Sequence, residues 1–422
     1  MNILAFKYYP RIIERELKRW LSSTGGVVIE GPKVCGKTTT ARQFAESEVL
    51  LDVDENAREA IKIDPTLVLE GGTPRLIDEW QLEPKLWDHI RREIDERGKP
   101  GQFIMAGSAT PTDDITRHSG AGRLRRIQMR PMSLYEREQS SGEISLAKLL
   151  SGKKSRCPKA EMSVEKLADL TAIGGWPVHI GFDTDNALEA VRGYIDEIRR
   201  VDVNQVDNTR REPEKVGLLL KSLARNVTTA ASMKTLARDT GRDEGEIHPD
   251  TVRDYLKVLR RLKIVEPQPA WAPHLRSKIR LRKKVRHHFV DPSLAVAALQ
   301  ASPEKLLEDL EFFGFLFESL VIRDLRIYAQ PLEGAIYYYR DETGLEVDAI
   351  VETTKGEWGA FEVKLGPGKI DEGVESLLKF VDKVDTEKCG EPSVLGVIVG
   401  KGTYGHHRED GIAVIPISSL GP

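Results

Sequence analysis

The fold is decided by the stretch VVIEGPKVCGKTTTARQFAE, which spans residues 27–46. It holds the spacing Gly31-x-x-x-x-Gly36-Lys37-Thr38 between a short apolar run and a helix-forming segment. In that context the spacing predicts a phosphate-binding loop, because the glycines permit close approach of the backbone and the helix amino terminus attracts an anion. A chance glycine-rich turn is the alternative. The sequence therefore predicts an α/β fold with a parallel P-loop NTPase sheet that binds ATP.

Individual residues of this loop have separate chemical tasks. Lys37 is predicted to neutralise the β- and γ-phosphates, and the hydroxyl of Thr38 to ligate Mg²⁺. Cys35 is a candidate for oxidation, although a passive position in the loop is the more ordinary interpretation. The residues predicted to bind the nucleotide here are Gly31, Pro32, Lys33, Val34, Cys35, Gly36, Lys37, Thr38 and Thr39.

An acidic pair follows the short apolar stretch in RLIDEW, residues 75–80. A P-loop enzyme needs a carboxylate for its metal, and Asp78 is predicted to hold Mg²⁺ directly or through water. Glu79 is predicted to act as the general base that polarises the attacking water. An acidic strand end in solvent is the alternative, but its position after a P-loop favours the catalytic interpretation.

Two further side chains complete the predicted ATPase site. The apolar stretch FIMAGS ends at Ser108, where a polar group can sense the γ-phosphate. Downstream, an arginine that meets developing phosphate charge would accelerate hydrolysis. Arg123 is the first candidate for this finger because it follows the flexible Gly120-Ala121-Gly122. Arginines on a strand surface are common, so a structural role is the alternative, and a finger acting in trans implies a homo-oligomer.

The segments GPKVCGKTTTA, LIDEW, FIMAGSA and GRLRRIQMRPMSLYE, in this order, resemble the AAA+-type ATPase domain of a large prokaryotic family. The later GGWPVHI, residues 174–180, resembles the Gly-Gly-aromatic-Pro segment of that family. Its members carry a C-terminal domain of unknown function that is similar to PD-(D/E)xK nucleases. The resemblance implies an AAA+-like ATPase domain over residues 1–150, followed by a helical lid over 151–210.

Length and composition bound the remaining possibilities. With 422 residues the chain is too long for one core, and its formal net charge of −3 neither favours nor excludes a nucleic-acid partner. No apolar run approaches the roughly 20 residues that span a bilayer, and the first residues lack a signal-peptide core. The three cysteines suit neither a disulfide framework nor a zinc site. These features predict a cytoplasmic protein with no membrane partner.

The middle of the chain, residues 211–305, predicts three helices followed by strand-like IVEPQPAW, an order that resembles a winged helix-turn-helix. The third helix would present basic side chains outward, and the strip from His274 to His288 adds seven Lys or Arg without an acid. Such a strip attracts a phosphate backbone, DNA more than RNA here, although winged helices also bind proteins and basic hairpins can be merely solvated. The residues predicted to contact nucleic acid are Arg253, Lys257, Arg260, Arg276, Lys278, Arg280, Arg282, Lys283, Lys284 and Arg286.

The C-terminal part, residues 306–422, predicts an amphipathic helix, a three-strand meander, a second helix and a further strand. This α+β order is the core order of the PD-(D/E)xK nucleases. Asp348 and Glu362 on neighbouring strands, with Glu318 from the helix, are predicted to hold Mg²⁺ or Mn²⁺. Lys364 shares a strand face with Glu362 and is predicted to orient the attacking water. Such strand pairs also arise by chance.

Three functions follow from these patterns. The first is an ATP-driven protein that acts on nucleic acid and carries a nuclease-like domain. The second is a regulatory or scaffold ATPase whose winged-helix and C-terminal domains bind proteins and are catalytically inert. A small-molecule kinase is the third, and it is disfavoured because no acceptor motif is visible.

Overall fold

A computed structural model describes residues 7–108, 120–206, 209, 211–241, 247–272 and 284–422. The amino-terminal part is a parallel sheet of five strands: β1 (Gly26–Glu30), β2 (Ser47–Leu50), β3 (Arg75–Asp78), β4 (Phe103–Gly107) and β5 (Leu124–Gln128). Their spatial order is β2-β3-β4-β1-β5. Every residue of β1 and β4 is buried, as expected for central parallel strands covered on both faces. The predicted parallel P-loop sheet is confirmed.

Four helices flank this sheet: α1 (Ile13–Leu21), α2 (Lys37–Ala41), α3 (Glu55–Ile63) and α4 (Leu86–Arg97). The strand order places β4 between β1 and β3. Carboxyl ends of parallel strands meet at one edge of a sheet, so the loop after β1, Asp78 at the end of β3 and Ser108 after β4 come together there. The functional site is built at this edge.

The middle of the chain is largely helical. It begins with β6 (Ile144–Ser145) and α5 (Leu146–Leu150) and continues through α6 (Val164–Ile173), α7 (Thr184–Glu197), a π-helical turn (Ile198–Asp202) and α8 (Val203–Gln205). Then come α9 (Pro213–Arg225), α10 (Met233–Gly241) and α11 (Pro249–Arg261), followed by the antiparallel pair β7 (Val265–Gln268) and β8 (Arg286–Phe289). Three helices and a strand pair are thus present in the predicted order; their assignment as a winged helix stays a prediction.

The C-terminal part contains α12 (Ser293–Ala298), α13 (Pro303–Glu308), α14 (Leu310–Ala329), α15 (Ile370–Lys383) and α16 (Thr386–Cys389). Its strands are β9 (Ala335–Arg340), β10 (Glu346–Glu352), β11 (Trp358–Lys364), β12 (Val394–Val399), β13 (His406–His407), β14 (Ala413–Pro416) and β15 (Leu420–Gly421). Six of them form a sheet of order β13-β14-β12-β11-β10-β9. Strands β9 to β11 form the predicted antiparallel meander, and β12 runs parallel to β11.

Helix α14 departs from the amphipathic pattern predicted for it. Residues 316–329 are buried on every side, including Arg323, Asp324 and Arg326. The C-terminal sheet covers one side of the helix, while α5, α6 and α13 contact it elsewhere. The charged residues of α14 made one side of the helix look exposed to water. These three instead form ion pairs inside the protein.

The end of the chain returns to the amino-terminal half. Strand β15 pairs in parallel with β6, and Cys157 forms a β-bridge with Gly405. The Lys-rich segment after residue 150 therefore packs against the C-terminal part instead of standing free. None of the helices in the described ranges has the length and apolar character needed to cross a membrane.

Candidate active site

The P-loop connects β1 to α2 and depends on its glycines. Gly36 has φ of 100°, a conformation that side chains disfavour. A Cβ atom at Gly31 would lie 2.3 Å from the carbonyl oxygen of Met129, so only glycine fits there. Lys37 is buried, and its Nζ donates to the carbonyl oxygen of Pro32 across 2.8 Å. The lysine is thus held at the loop that would surround the phosphates.

Thr38 and Asp78 lie in direct contact, as their predicted shared task requires. The Thr38 hydroxyl donates to the Asp78 carboxylate, with 2.9 and 3.1 Å to its two oxygens. Burial raises the pKa of Asp78 to about 6, although the hydrogen bond from Thr38 opposes this shift. A hydroxyl oxygen beside a desolvated carboxylate is the kind of oxygen pair that a small hard cation such as Mg²⁺ prefers.

Glu79 follows β3 in a left-handed conformation, with φ of 51°. Its carboxylate accepts hydrogen bonds from the Ser108 hydroxyl, at 3.2 Å, and from the Gln81 amide. Gln81 also donates to Ser108 across 3.3 Å. Strain of this kind in a non-glycine residue is frequent at functional sites, and here it turns Glu79 toward Ser108. The acid, the predicted sensor and an unpredicted amide therefore form one polar cluster.

A cavity of about 950 Å³ opens in front of these groups. This volume suits a nucleotide, since small-molecule sites span ~300–1,000 Å³. The predicted residues that line it are Lys33, Val34, Gly36, Lys37, Thr38, Thr39, Glu79 and Ser108. Gly31, Pro32 and Cys35 lie in the loop behind this lining, and the fully buried Cys35 side chain packs in the hydrophobic core. Contact of these three with the nucleotide stays a prediction, since a P-loop binds phosphate through its backbone N–H groups.

The sequence did not predict the residues that form the opposite wall of the cavity. Tyr8 and Tyr9 come from the segment before α1, and Pro177, Val178 and Ile180 come from GGWPVHI. The family resemblance includes that segment but assigns it no function. Its apolar side chains, with the two tyrosines, offer the flat surfaces that a nucleotide base needs. Lys33 in the P-loop also forms an ion pair with Asp202 of the π-helical turn at 2.7 Å.

Arg11 is a second functional residue that the sequence did not reveal. It is buried and donates to the carbonyl oxygens of Cys35, at 2.8 Å, and Arg130, at 2.7 Å. Its ion pair with Glu136, at 3.1 Å, fixes the guanidinium. Arg11 thus ties the P-loop to the chain that follows β5. A single arginine before the apolar Ile12 and Ile13 was the only signal in the sequence.

Arg123 lies at the end of the sheet opposite the P-loop. Its carbonyl oxygen accepts from Gly26 at the start of β1, whereas the P-loop follows Glu30 at the other end. Its side chain is paired with Asp95 at 2.6 Å. Arg123 therefore does not reach a nucleotide bound to its own chain. A finger acting between copies stays a prediction.

Apart from Arg286, the predicted nucleic-acid residues divide into three groups. Arg253, Lys257 and Arg260 line one groove of about 620 Å³ on α11. Lys284 is exposed before β8. The predicted contacts at Arg276, Lys278, Arg280, Arg282 and Lys283 lie outside the described residues.

The prediction for Arg286 is wrong. This side chain is only 4% exposed and pairs with Glu318 at 3.2 Å and Glu346 at 2.9 Å. The negative field of the C-terminal carboxylates draws the guanidinium inward, so it is not available to a phosphate backbone.

The C-terminal acidic residues lie near one another. Burial, with the nearby Asp348 carboxylate, raises the pKa of Glu362 to about 8 and that of Glu318 well above its usual value. Glu362 pairs with Lys364 at 2.9 Å, and Asp348 accepts from the N–H of Val363 at 2.9 Å. In the described part of the chain, no group of three or more His, Cys, Asp or Glu side chains is arranged to hold a metal ion.

Comparison with protein-family models divides the chain into three consecutive matches. Residues 23–138 match an AAA domain, residues 164–305 a domain of unknown function (DUF8612), and residues 313–420 another domain of unknown function (DUF4143). Two curated relatives are the uncharacterized proteins Rv2008c of Mycobacterium tuberculosis and Mb2031c of Mycobacterium bovis. Each is 25% identical over 353 residues, which cover 82% of this chain and 72% of the relative.

Two solved structures show a weaker likeness. One is described as the Walker-type ATPase PABY2304 of Pyrococcus abyssi, with 11% identity and a TM-score of 0.43 over 69% of this chain and 96% of that one. The other is a DNA replication initiation factor, with 14% identity and a TM-score of 0.26 over 60% and 90%. Neither likeness is close enough to carry an argument about function. The AAA match, by contrast, covers the P-loop and the acidic pair described above, so the protein is a P-loop ATPase that binds and hydrolyses ATP.

Proposed function

We propose that this ATPase acts on nucleic acid, which it binds along the basic groove of α11. The groove is the observation that carries the proposal. Its basic lining residues are Arg253, Lys257, Arg260, Arg261 and Lys263. Five cations in one concave surface attract a phosphate backbone by counterion release, and this attraction requires no particular base sequence.

A direct contact connects the groove to the ATPase site. Lys263 pairs with Glu30 across 2.8 Å, and Glu30 is the residue that immediately precedes the P-loop. Arg126 on β5 also pairs with Glu30. Nucleic acid that draws Lys263 toward its phosphates weakens this pair and alters the end of β1. ATP hydrolysis and nucleic-acid binding are thereby coupled.

The ATPase chemistry follows from the arrangement at the sheet edge. Lys37 would neutralise the triphosphate, Thr38 and Asp78 would hold Mg²⁺, and Glu79 would orient and deprotonate the attacking water. When bound there, Mg²⁺ would supply positive charge that stabilises the phosphate oxygens. Ser108 and Gln81 hold the Glu79 carboxylate until a γ-phosphate competes for the same hydrogen bonds. Arg123 stays a candidate finger only for a neighbouring copy in a homo-oligomer.

A nuclease-like C-terminal domain is the finer part of the proposal, with Mg²⁺ or Mn²⁺ at Glu318, Asp348 and Glu362. The side chains as they stand do not fit such an ion. Arg286 pairs with Glu318, and Ser376 and Lys364 bond the two oxygens of Glu362. A divalent cation would have to displace Arg286, so no cleavage step is derived through it.

The position of Arg286 favours the second candidate function. In the protein without metal, the Arg286 guanidinium lies among these carboxylates. It supplies the positive charge that a metal ion would otherwise bring. The protein would then be a regulatory or scaffold ATPase whose winged-helix and C-terminal domains bind proteins and are catalytically inert. The two candidates share the ATPase site and differ in what residues 211–305 and 306–422 bind and do.

One set of measurements tests whether the protein binds nucleic acid and responds to it. Fluorescence anisotropy with labelled double-stranded DNA, single-stranded DNA and RNA at low salt measures binding, and phosphate release measures stimulation of ATP hydrolysis. The proposal expects binding to DNA that Lys257→Ala weakens and that Lys305→Ala, an exposed lysine on α13, leaves unchanged. If nucleic acid neither binds nor stimulates hydrolysis, the first candidate is wrong.

Cleavage decides the nuclease question separately. Plasmid and linear DNA are incubated with the full chain in Mg²⁺ or Mn²⁺ and compared with an Asp348→Ala, Glu362→Ala double variant. Metal-dependent cleavage that disappears in the double variant eliminates the inert alternative. If neither protein cleaves DNA while both still hydrolyse ATP, the inert alternative is supported.

A further inference from the structure

A second, smaller cavity lies beside the ATP cavity. Its volume is about 190 Å³, and Ile180 belongs to the walls of both cavities. Three more apolar side chains, Leu170, Ile173 and Phe182, line part of it. The rest of the lining, which nothing in the ATPase chemistry uses, consists of Gly181 and four polar side chains: Arg137, Gln139, Lys166 and His179.

Arg137 is the principal charge in this small cavity. Among the residues that the structure describes, the carbonyl oxygen of Gly174 is its hydrogen-bond acceptor, which leaves most of its five N–H groups without a protein partner. The nearby carboxylates of Asp291 and Asp324 are occupied elsewhere, because both bind Arg323 and backbone N–H groups. Burial lowers the pKa of Arg137 to about 10, so the guanidinium, which is partly exposed, is charged at neutral pH.

Two further groups face the same cavity. Lys166, in the first turn of α6, is exposed and adds a second cation at the rim. His179 is buried, and its Nδ1 lies 3.2 Å from the carbonyl oxygen of Ile173. With Nδ1 engaged as the donor, Nε2 of the neutral ring is an acceptor and can bond only a donor group of a ligand, such as the hydroxyl of a protonated phosphate. The Phe182 ring stacks on His179, with 5.7 Å between ring centroids, and closes that side.

We propose that this cavity binds a small oxyanion of the phosphate type, held by Arg137 and Lys166. The planar fork of an arginine matches two oxygens of such an anion, and the apolar walls strengthen the attraction. The volume limits the ligand: at ~30 Å³ per water, the cavity holds about six water molecules, which suits one phosphate with some water. A whole nucleotide needs a cavity of at least ~300 Å³.

The position of Arg137 gives this anion an effect on the ATP site. Its acceptor, Gly174, is followed by Gly175, whose carbonyl oxygen accepts from the N–H of Met132 at 2.6 Å. Met132 and Pro177 both line the ATP cavity. An anion on Arg137 therefore fixes the wall of the ATP cavity through Gly174. This inference does not depend on nucleic-acid binding.

Isothermal titration of inorganic phosphate into the full chain, at neutral pH and constant ionic strength, tests the site. The P-loop also attracts phosphate, so the titration is repeated in Lys37→Ala. The proposal expects saturable binding that persists in Lys37→Ala and falls about tenfold or more in Lys166→Ala and Arg137→Lys. Lys159→Ala, an exposed lysine that pairs with Glu161, is the matched control and keeps full affinity.

Several outcomes overturn the proposal. One is the absence of saturable binding to the wild type, and another is binding that disappears in Lys37→Ala while Lys166→Ala retains it. Acetate that binds as tightly as phosphate would overturn the assignment to a phosphate-type anion. If circular dichroism shows that Arg137→Lys does not fold, the titration of Lys166→Ala decides the question by itself. Lys166 is exposed, so its replacement should not disturb folding.

Discussion

Arg323 on α14 forms a buried ion pair with Asp291, with 2.8 Å between Nη1 and Oδ2. The same Asp291 oxygen accepts from the N–H of Gly175 at 2.9 Å. Arg323 also binds Asp324, whose carboxylate accepts from the N–H of Leu134 at 3.0 Å. Gly175 and Leu134 each lie two residues from a residue that lines the ATP cavity, Pro177 and Met132 respectively. The central helix of the C-terminal part is therefore attached to the segments that carry one wall of the ATPase site.

Replacement of Arg323 by Leu should destabilise the fold strongly. It leaves two carboxylates buried without their cation, and removal of one member of a buried ion group costs about 3–5 kcal/mol. Urea denaturation followed by tryptophan fluorescence measures the loss. Arg92→Leu, at an exposed position on α4, is the control and should change the free energy of unfolding by less than about 0.5 kcal/mol. A similar small change for Arg323→Leu would show that this network is not structural.

Replacement of Glu79 by Gln should separate ATP binding from hydrolysis. The amide keeps the shape of the side chain and its contact with Ser108, but it cannot accept a proton from water. We expect the hydrolysis rate to fall about 100-fold or more, with ATP affinity nearly unchanged. Phosphate release and binding of a fluorescent ATP analogue measure the two quantities. Glu83→Gln, the same change in the same loop but outside the cavity lining, should leave both intact.

Asp78 should make the stability of the nucleotide-free protein depend on pH. Its pKa is raised to about 6 in the folded state, chiefly by burial, from its usual value of 3.8. The folded state then binds the proton more tightly than the unfolded state, so stability falls as pH rises from about 4 to about 6. Asp78→Asn removes the cost of burying a charged carboxylate. It should stabilise the nucleotide-free protein by about 1–2 kcal/mol above pH ~6, but not below pH ~4.

Thermal unfolding across this range checks the Asp78 prediction. Asp382→Asn, at an exposed position on α15, is the matched control and should show no such pH-dependent difference. A constant difference between wild type and Asp78→Asn at all pH values would contradict the assignment. The same substitution should also abolish Mg²⁺-dependent ATP hydrolysis, because Thr38 loses its anionic partner.

Local patterns predicted the elements of the fold well. The P-loop spacing located β1 and α2, and alternation located the meander from Ala335 to Lys364. The three helices of the middle were also found. Each of these signals lies within a few neighbouring residues, where periodicity and glycine chemistry act directly.

Contacts between distant segments could not be predicted in this way. Arg286 was interpreted as exposed because its neighbours in sequence are basic, yet its true neighbours are Glu318 and Glu346. Arg123 follows a flexible glycine pair, but strand direction places it at the wrong end of the sheet. The residues of GGWPVHI reach the ATP cavity only through tertiary packing. Burial and pairing of charges are properties of the whole fold, and short patterns do not contain them.

Two lysines of the α11 groove should respond differently to replacement. Lys257 is exposed and lies in the groove, so Lys257→Ala should weaken DNA binding and lower the salt dependence of the affinity by about one unit of slope. Lys263 also pairs with Glu30 beside the P-loop. Lys263→Ala should therefore reduce DNA-stimulated ATP hydrolysis about fivefold even at DNA concentrations that restore full binding.

Anisotropy titrations at several salt concentrations give the slope, and phosphate release at saturating DNA gives the stimulation. Lys305→Ala should match the wild type in both measurements. The coupling through Glu30 predicts that Lys257→Ala regains full stimulation at saturating DNA, whereas Lys263→Ala does not. Recovery of both variants would show that Lys263 contributes only charge to the groove. The pair with Glu30 would then have no part in transmitting DNA binding to the P-loop.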